Sequence, residues 1–337
     1  MTHVLAVTPA ARSSSGVFAC LVVAVCFSTA CARPMLSGDA QVKQPAAQTS
    51  LVELWSDPTD LAQRDLFWGG SRRAEAPSID DVYTVLKVDK TGYSDGYNVK
   101  GPDGREWDIK VGDEVQTEIV LSRIFWALGY HQPQTFYVTG WQLMGKWEKE
   151  GEPARFRLQS DHDSDSEWAW LENPFAGTRP LQGLVAISLV LNNWDLKTSN
   201  NRVYRQRGDK AEPAKRYVVQ DLGASLGEPR GLPYVRGTRN RIDDFEEHRL
   251  IRKVDGSKVQ LDYRGQHTDV LRRLSPADIV WGCELLNRLS DAQLDDAFRA
   301  ADYAPEIRQR YIAKIRSKIR EGLALRTTNP QATAEGQ

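Results

Sequence analysis

Cysteine and histidine are scarce in this chain, and their scarcity removes whole classes of chemistry. The four cysteines stand at positions 20, 26, 31 and 283. Two of them lie in an apolar leader, and if Cys31 is used as an anchor, Cys283 is alone and no internal disulfide can form. Cys283 sits in "ADIVWGCELLNRL" on an apolar helical face, which reads as a buried structural thiol rather than a nucleophile. The five histidines are scattered, so no zinc cluster is expected. An excess of one charge is also missing. Lys and Arg total 44 against 45 for Asp and Glu, a formal net charge of -1. That gives no electrostatic case for nucleic acid or an anionic membrane surface, and any basic patch has to be local. No internal repeat is evident. The longest apolar run falls short of the roughly 20 residues that a bilayer-spanning helix needs.

That run belongs to the leader. "MTHVLAVTPAARSSS" carries one Arg and no acid, "GVFACLVVAVCFSTA" is apolar, and small residues follow before "RP". The pattern is that of a secretory signal over residues 1–30. Two cleavage readings stand side by side. Ala30-Cys31-Ala32 fits an ordinary A-x-A site. "STAC" resembles a bacterial lipobox with Cys31 as the lipidated residue, although Ser28 stands where such boxes usually have Leu. Both place the mature chain outside the cytoplasm, in the periplasm or cell envelope, and the second tethers it to the membrane.

Residues 31–78 read as a tether and N-terminal extension, with "RPMLSGDAQVKQPAAQTS" polar and rich in Ala and Pro. Short β-branched and aromatic runs follow. "GPDG" makes a turn between "YNV" and "REWDIKV". "EVQTEIVLSRIFWALGY" has helical apolar spacing and a stop at Gly129. "QTFYVTGWQLMG" and "ARFRLQS" read as strands. The second half is mainly helical: "RPLQGLVAISLVLNN", then "SPADIVWGCELLNRLS" with a Ser cap and Pro at the first helical position, then two more helices. Between them "NRVYR" and "RYVVQDLG" are strands, and "LIRKVDGSKVQLDY" is a hairpin turning at Asp255-Gly256. The expected fold is therefore α+β, with a small β-rich lobe over 79–170, a larger mainly helical lobe over 171–325, and a disordered tail over 326–337.

One stretch, "LVAISLVLNNWDLKTSNNRVY" over 184–204, ends a buried helix in a crowd of polar groups. Asp195, Lys197 and Asn200 form D-x-K-x-x-N. Past a strand pair comes "VVQDLGAS" with Asp221 at a strand end. Upstream, Lys110 lies in the strand "EWDIKV" and Glu118 in the following helix. This order resembles the protein-kinase-like superfamily, in the style of the HipA-type and secretory-pathway kinases. "WDIK" is similar to the strand lysine motif, "DLKTSN" to the catalytic loop and "DLG" to the metal-binding Asp-Phe-Gly. The resemblance covers roughly residues 79–325 in layout and rests on four short islands. It implies a bilobal kinase-like fold, ATP with Mg²⁺ or Mn²⁺, and a hydroxyl acceptor on a protein, sugar or lipid. Lys110 would hold the phosphates, positioned by Glu118. Asn200 and Asp221 would be the metal's oxygen ligands. Asp195 would take the hydroxyl proton, and Lys197 would meet charge on the transferred group.

The chain departs from that pattern. Asn193-Trp194 replaces the His-Arg before the catalytic Asp, so control by a phosphorylated activation loop docking there is not expected. "TGYSDGYNV" has Gly92 and Gly96 but no G-x-G-x-x-G, and no Ala-Pro-Glu follows "DLG". These departures leave an inactive kinase-like binding module open. Each island also has a plainer reading: Asp195 and the Asn residues as a helix-ending turn, Lys110 as a solvated edge residue, Glu118 as a first-turn helix acid. "DHDSDSEWAWLE" places Asp161, Asp163, Asp165, Glu167 and Glu172 in an order similar to a calcium loop, but Ser166 stands where that loop needs Gly. It reads as an acidic surface insertion. Trp168 and Trp170 share one face if the segment is a strand.

Overall fold

The alternation in "EWDIKV" decides how the first lobe is built. A computed structural model of the chain describes residues 35–36, 51–90, 94–144, 149–159, 162–206, 215–229, 237–255 and 258–328, all within one compact unit spanning Arg33–Gln337. The leader 1–30, Cys31, most of the tether, Gly92, Asp161, Gly256 and the tail from 329 lie outside the described residues. A two-residue strand β1 (Met35–Leu36) opens the described part. Strands β2 (Val82–Asp89), β3 (Gly96–Lys100) and β4 (Glu106–Val111) come next, followed by helix α1 (Val115–Ala127). Strands β5 (Thr135–Val138), β6 (Trp141–Met144), β7 (Lys149–Gly151) and β8 (Ala154–Leu158) then complete a seven-stranded sheet in the order β5-β8-β4-β3-β2-β6-β7. Neighbours pair antiparallel except β2 with β6, which run parallel.

On β4, Trp107, Ile109 and Val111 are buried in an apolar cluster with Tyr83, Val99 and Phe156. The period of two sends Asp108 and Lys110 to the opposite face. The "GPDG" turn closes as expected, with Gly104 at φ +83° and the Gly101 amide donating to the Arg105 carbonyl at 2.8 Å. Gly129 ends α1 at φ +94°, and a Cβ there would lie 2.0 Å from the Ser56 carbonyl oxygen, so only glycine fits.

After β9 (His162–Ser166) the chain turns helical. Helix α2 (Arg179–Val190) is buried along nearly its whole length. Strands β10 (Asn201–Gln206) and β11 (Lys215–Val219) form a three-stranded sheet with β9. Short helix α3 (Ile242–Glu247) leads to the hairpin β12 (Ile251–Asp255) and β13 (Lys258–Leu261). Helices α4 (Pro276–Asn287), α5 (Asp291–Arg299), α6 (Pro305–Leu323) and α7 (Leu325–Thr328) finish the lobe. Ser275 and Asp278 cap α4 reciprocally, with Pro276 at the first helical position. Helices α2 and α4 approach closely where Gly183 faces the Trp281 ring and Gly282 faces Ala186. The fold is α+β and two-lobed, a β-rich N-terminal lobe followed by a helical one. Among the described residues, no helix is long and apolar enough to cross a membrane.

Three segments differ from the sequence reading in detail. Part of the tether is paired: Met35 and Leu36 lie opposite Gln260 and Val259 on β13. The later part of the stretch 31–78 is packed into the fold, since Leu54, Leu61 and Leu66 are buried in the main core. The acidic stretch contains strand β9, which pairs with β10. Trp168 and Trp170 behind it are 4% and 5% exposed and meet edge to face at 5.0 Å, so both are core side chains.

A fully buried lysine ties the helical lobe to the end of α2. Lys318 of α6 donates to the Val190 carbonyl (3.1 Å) and to the Asn192 side-chain oxygen, with its ammonium 4.8 Å from the Phe245 ring centroid. Burial, reinforced by nearby Lys314, pulls its pKa well below the ordinary 10.5. A lysine depressed in the folded state binds fewer protons there than in the unfolded chain, so its contribution to stability grows as pH rises and is complete above 10.5. Relative to Lys318→Met, the wild-type unfolding free energy should therefore increase from neutral pH towards that value. Urea melts of both proteins across the range check this, and parallel stability curves would contradict it.

Candidate active site

The turn after α2 explains its many asparagines one at a time. Asn192 adopts φ 53°, a left-handed conformation that Asn tolerates better than most residues. Its amide donates to the Gly227 carbonyl while its oxygen receives Lys318. The Asn193 side chain accepts from the Asp195 amide at 3.2 Å, an Asx-type turn. Asn201 donates to the Trp168 carbonyl at 2.9 Å. These three are turn-makers, as the plainer reading has it. Asn200 is different. Its amide nitrogen donates to the Asp195 carbonyl at 2.8 Å, which leaves the side-chain oxygen as the group available to a cation. Its backbone carbonyl accepts from Gln220 (2.8 Å) and Asp221 (3.4 Å), so the loop and the strand end carrying Asp221 are joined directly.

Asp195 is 9% exposed. One carboxylate oxygen accepts from Lys197 at 2.7 Å, while the other is buried without a hydrogen-bond partner. An unpartnered carboxylate oxygen is costly to bury and is a group waiting for a donor. The Tyr263 hydroxyl holds the Asn193 carbonyl at 3.0 Å, and the Gln266 amide holds that of Trp194 at 2.8 Å, so the backbone on the approach to Asp195 is fixed.

Lys110 reaches across from β4. Its ammonium lies 2.7 Å from Glu114, 3.2 Å from Asp221 and 3.5 Å from Glu118. Burial disfavours the charged amine, but Glu118, Asp221 and Glu114 together outweigh that and hold its pKa above the ordinary value. Burial would likewise raise Asp221, yet Lys110 keeps that carboxyl below its usual range. The Asp221 side chain is 42% exposed, at the open side of the cleft. Lys110, Glu118, Asp195, Lys197, Asn200 and Asp221 all line one cleft of about 630 Å³.

Sequence reasoning missed five neighbours. Glu114 is closer to Lys110 than Glu118 is, and its other oxygen accepts from Arg239 at 2.6 Å. Arg239 in turn lies over the Trp194 ring at 5.1 Å. Glu118 receives Arg155 at 2.9 Å and Arg157 at 3.6 Å. Asp108 pairs with the same two arginines and is held well below the usual carboxylate range by them, despite burial that acts the other way. A signal for three of these was present. "EWDIKV" and "ARFRL" each place charges two apart on a strand, and the register sets Asp108 opposite Arg157 and Lys110 opposite Arg155. Arg239 had no local signal.

No protein-family model matches the chain, and no curated protein matches it in sequence. Among solved structures it is similar to the crystal structure of a Helicobacter pylori proinflammatory kinase, CtkA. The identity is 12% and the TM-score 0.41, over 74% of this chain and 97% of that one.

Among the described residues no group of three or more His, Cys, Asp or Glu side chains is placed to hold a metal ion. A site for Mg²⁺ does not require one, because that ion keeps several waters and takes one or two protein oxygens beside those of a substrate. The Asp221 carboxylate and the Asn200 side-chain oxygen are the groups that could supply such oxygens.

Removing Lys110 tests whether its environment is as tightly coupled as these distances say. Lys110→Met strands three carboxylates, two of them buried, and should cost about 3 kcal/mol of stability. A solvated edge lysine would cost under about 0.5 kcal/mol. Denaturant unfolding separates the two, and a loss in the lower range would contradict the three-carboxylate environment.

Proposed function

We propose that this protein is an exported, kinase-like phosphotransferase that moves the terminal phosphoryl group of ATP to a hydroxyl acceptor with Mg²⁺ or Mn²⁺. The observation that carries the reading is the convergence in one cleft of a carboxylate-anchored lysine, a buried aspartate with an unpartnered oxygen, and a neighbouring pair of oxygen donors. Asn200 and Asp221 are the residues that would hold the dication, whose charge neutralises the phosphates when bound. Lys110 exchanges part of its carboxylate shell for phosphate oxygens. Asp195 orients the acceptor hydroxyl and takes its proton as the new P–O bond forms. Lys197, its side chain 41% exposed, meets the charge on the transferred group.

The remainder of the cleft wall shapes how a donor is held. Asn98, Asp108, Arg157, Arg202 and Gln220 line it. The Gln220 amide, with its oxygen turned to Arg157, accepts at 2.6 and 2.8 Å and donates to the Tyr204 hydroxyl. Asp108, Arg157 and Gln220 satisfy one another, and Ile109 and Trp194 are the large apolar members of a mostly polar wall, so recognition falls mainly on the triphosphate. The same wall favours a second reading, a non-catalytic module of the cell envelope that binds a polar ligand in this cleft. The leader and Cys31 support export and membrane attachment in both readings.

Four proteins separate the readings. Asp221→Ala and Asn200→Ala should lose metal-dependent nucleotide binding, each removing an oxygen ligand. Asp195→Ala should bind nucleotide as the wild type does and lose turnover by about a hundredfold or more, because it acts on the acceptor. Calorimetric titration with and without Mg²⁺ or Mn²⁺, paired with an ATPase assay, reads both properties. Equal, metal-independent behaviour across all four would exclude phosphoryl transfer and leave the binding module.

A further inference from the structure

Behind α1, on a different wall from the cleft, lies a second cavity of about 390 Å³. Its charged lining consists of Arg64, Arg123 and Arg216, with no carboxylate among the residues that form it. The cleft, by contrast, balances its lysines and arginines with Asp and Glu. Arg64 has its own counter-charge in Asp60 at 2.9 Å. Arg123 has no carboxylate in direct contact: among the described residues none lies within ion-pair distance of it or of Arg216, and Asp65 acts on Arg123 only from farther away.

Arg123 is the unusual group. It is only 3% exposed, and one terminal nitrogen donates to the Thr135 carbonyl at 2.6 Å. Its Nε is buried without a partner, and so is the Ser71 hydroxyl beside the same cavity. A buried guanidinium with a donor to spare and no anion in direct contact is expensive to maintain. Burial drags its pKa down to about 10, against the opposing charge of Asp65, which lies beyond ion-pair distance. Gly69 lets the chain pass directly over it, since a Cβ there would lie 2.7 Å from the side chain. The His131 ring, whose pKa burial lowers, donates from Nε2 to the Val52 carbonyl (2.7 Å) and adds no positive charge at neutral pH.

We propose that this cavity is a binding site for a small tetrahedral oxyanion, a phosphate or the phosphate group of a small metabolite. Arg123 supplies the buried fork, Ser71 a hydroxyl donor, and Arg216 a mobile second cation at the rim. An arginine fork matches the paired oxygens of phosphate, and the cavity has room for a modest substituent beyond the phosphate. Because Arg123 and Glu118 share α1, an occupied site would also brace the helix that presents Glu114 and Glu118 to Lys110. The proposal does not depend on what the cleft does.

The experiment is thermal unfolding of the full chain without its leader in inorganic phosphate against chloride at matched ionic strength, with ribose 5-phosphate as a second probe. Saturating phosphate should raise the wild-type Tm by about 3 °C or more. Each variant being compared with its own Tm in chloride, the shift should vanish in Arg123→Gln, shrink in Arg216→Gln and persist in Lys110→Met, which removes a cation of the cleft and none of this cavity. Arg216 is exposed, so its variant gives a reading even if Arg123→Gln folds poorly. A larger shift with ribose 5-phosphate assigns the site to a phosphomonoester, and an equal one to free phosphate. No wild-type shift with either probe, or a shift that survives in Arg216→Gln unchanged and is lost in Lys110→Met, would overturn the proposal.

Discussion

The ammonium of Lys110 is the point on which the two lobes are joined. It has three N–H donors, and three carboxylates surround it: Glu114 and Glu118 from α1, and Asp221 from the helical lobe. Each of those acids has further work. Glu114 is tied to Arg239, Glu118 to Arg155 and Arg157, and Asp221 follows directly on the strand that Asn200 holds. Remove the lysine and the acids repel; remove the acids and a buried ammonium is stranded. The arrangement of the sheet, α1 and the Asp221 strand end is set by that mutual need. It also bears on the proposed chemistry, in which a polyanion entering the cleft would compete with carboxylates for Lys110, helped by a cation at Asn200 and Asp221.

Behind this cluster the helical lobe keeps the loop over 192–201 in place by unusual means. Asn192 takes a left-handed backbone and is clasped by a buried lysine from a distant helix. The Lys318 contact with the Val190 carbonyl also sets a donor at the C-terminal end of α2, where carbonyls otherwise lack partners. The result is a rigid loop from which Asp195 and Lys197 project. A buried basic side chain in place of apolar packing recurs behind α1 at Arg123, where among the described residues no carboxylate lies within ion-pair distance.

Much of the fold was legible because its signals are local and periodic. "EWDIKV" alternates, "GPDG" turns, Gly129 stops a helix, and Ser275-Pro276 starts one; each becomes the element its pattern implies. The α+β, two-lobed layout follows from their order. Residues 51–78 were harder, because Leu54, Leu61 and Leu66 are too widely spaced for any period and are recruited only by the assembled core. The candidate site was legible as an ordered set, Lys110, Glu118, Asp195, Lys197, Asn200 and Asp221, which share one cleft. Their proposed roles rest on that set. Glu114 escaped notice because a turn, not a helix or strand period, brings it beside Lys110. Arg239 did so because its partner is 125 residues away in sequence. Charge pairing across such distances leaves no local pattern to read.

The central claim is that Lys110, Asn200 and Asp221 together form the seat of a metal–triphosphate complex. A crystal structure of the chain without its leader, grown with Mg²⁺ and a non-hydrolysable ATP analogue, tests it most directly. The account predicts an ion at about 2.1 Å from oxygens of Asn200 and Asp221, with Lys110 turned from Asp221 onto the phosphates. A nucleotide bound elsewhere, or Lys110 still enclosed by its three carboxylates with the analogue at saturation, would contradict it.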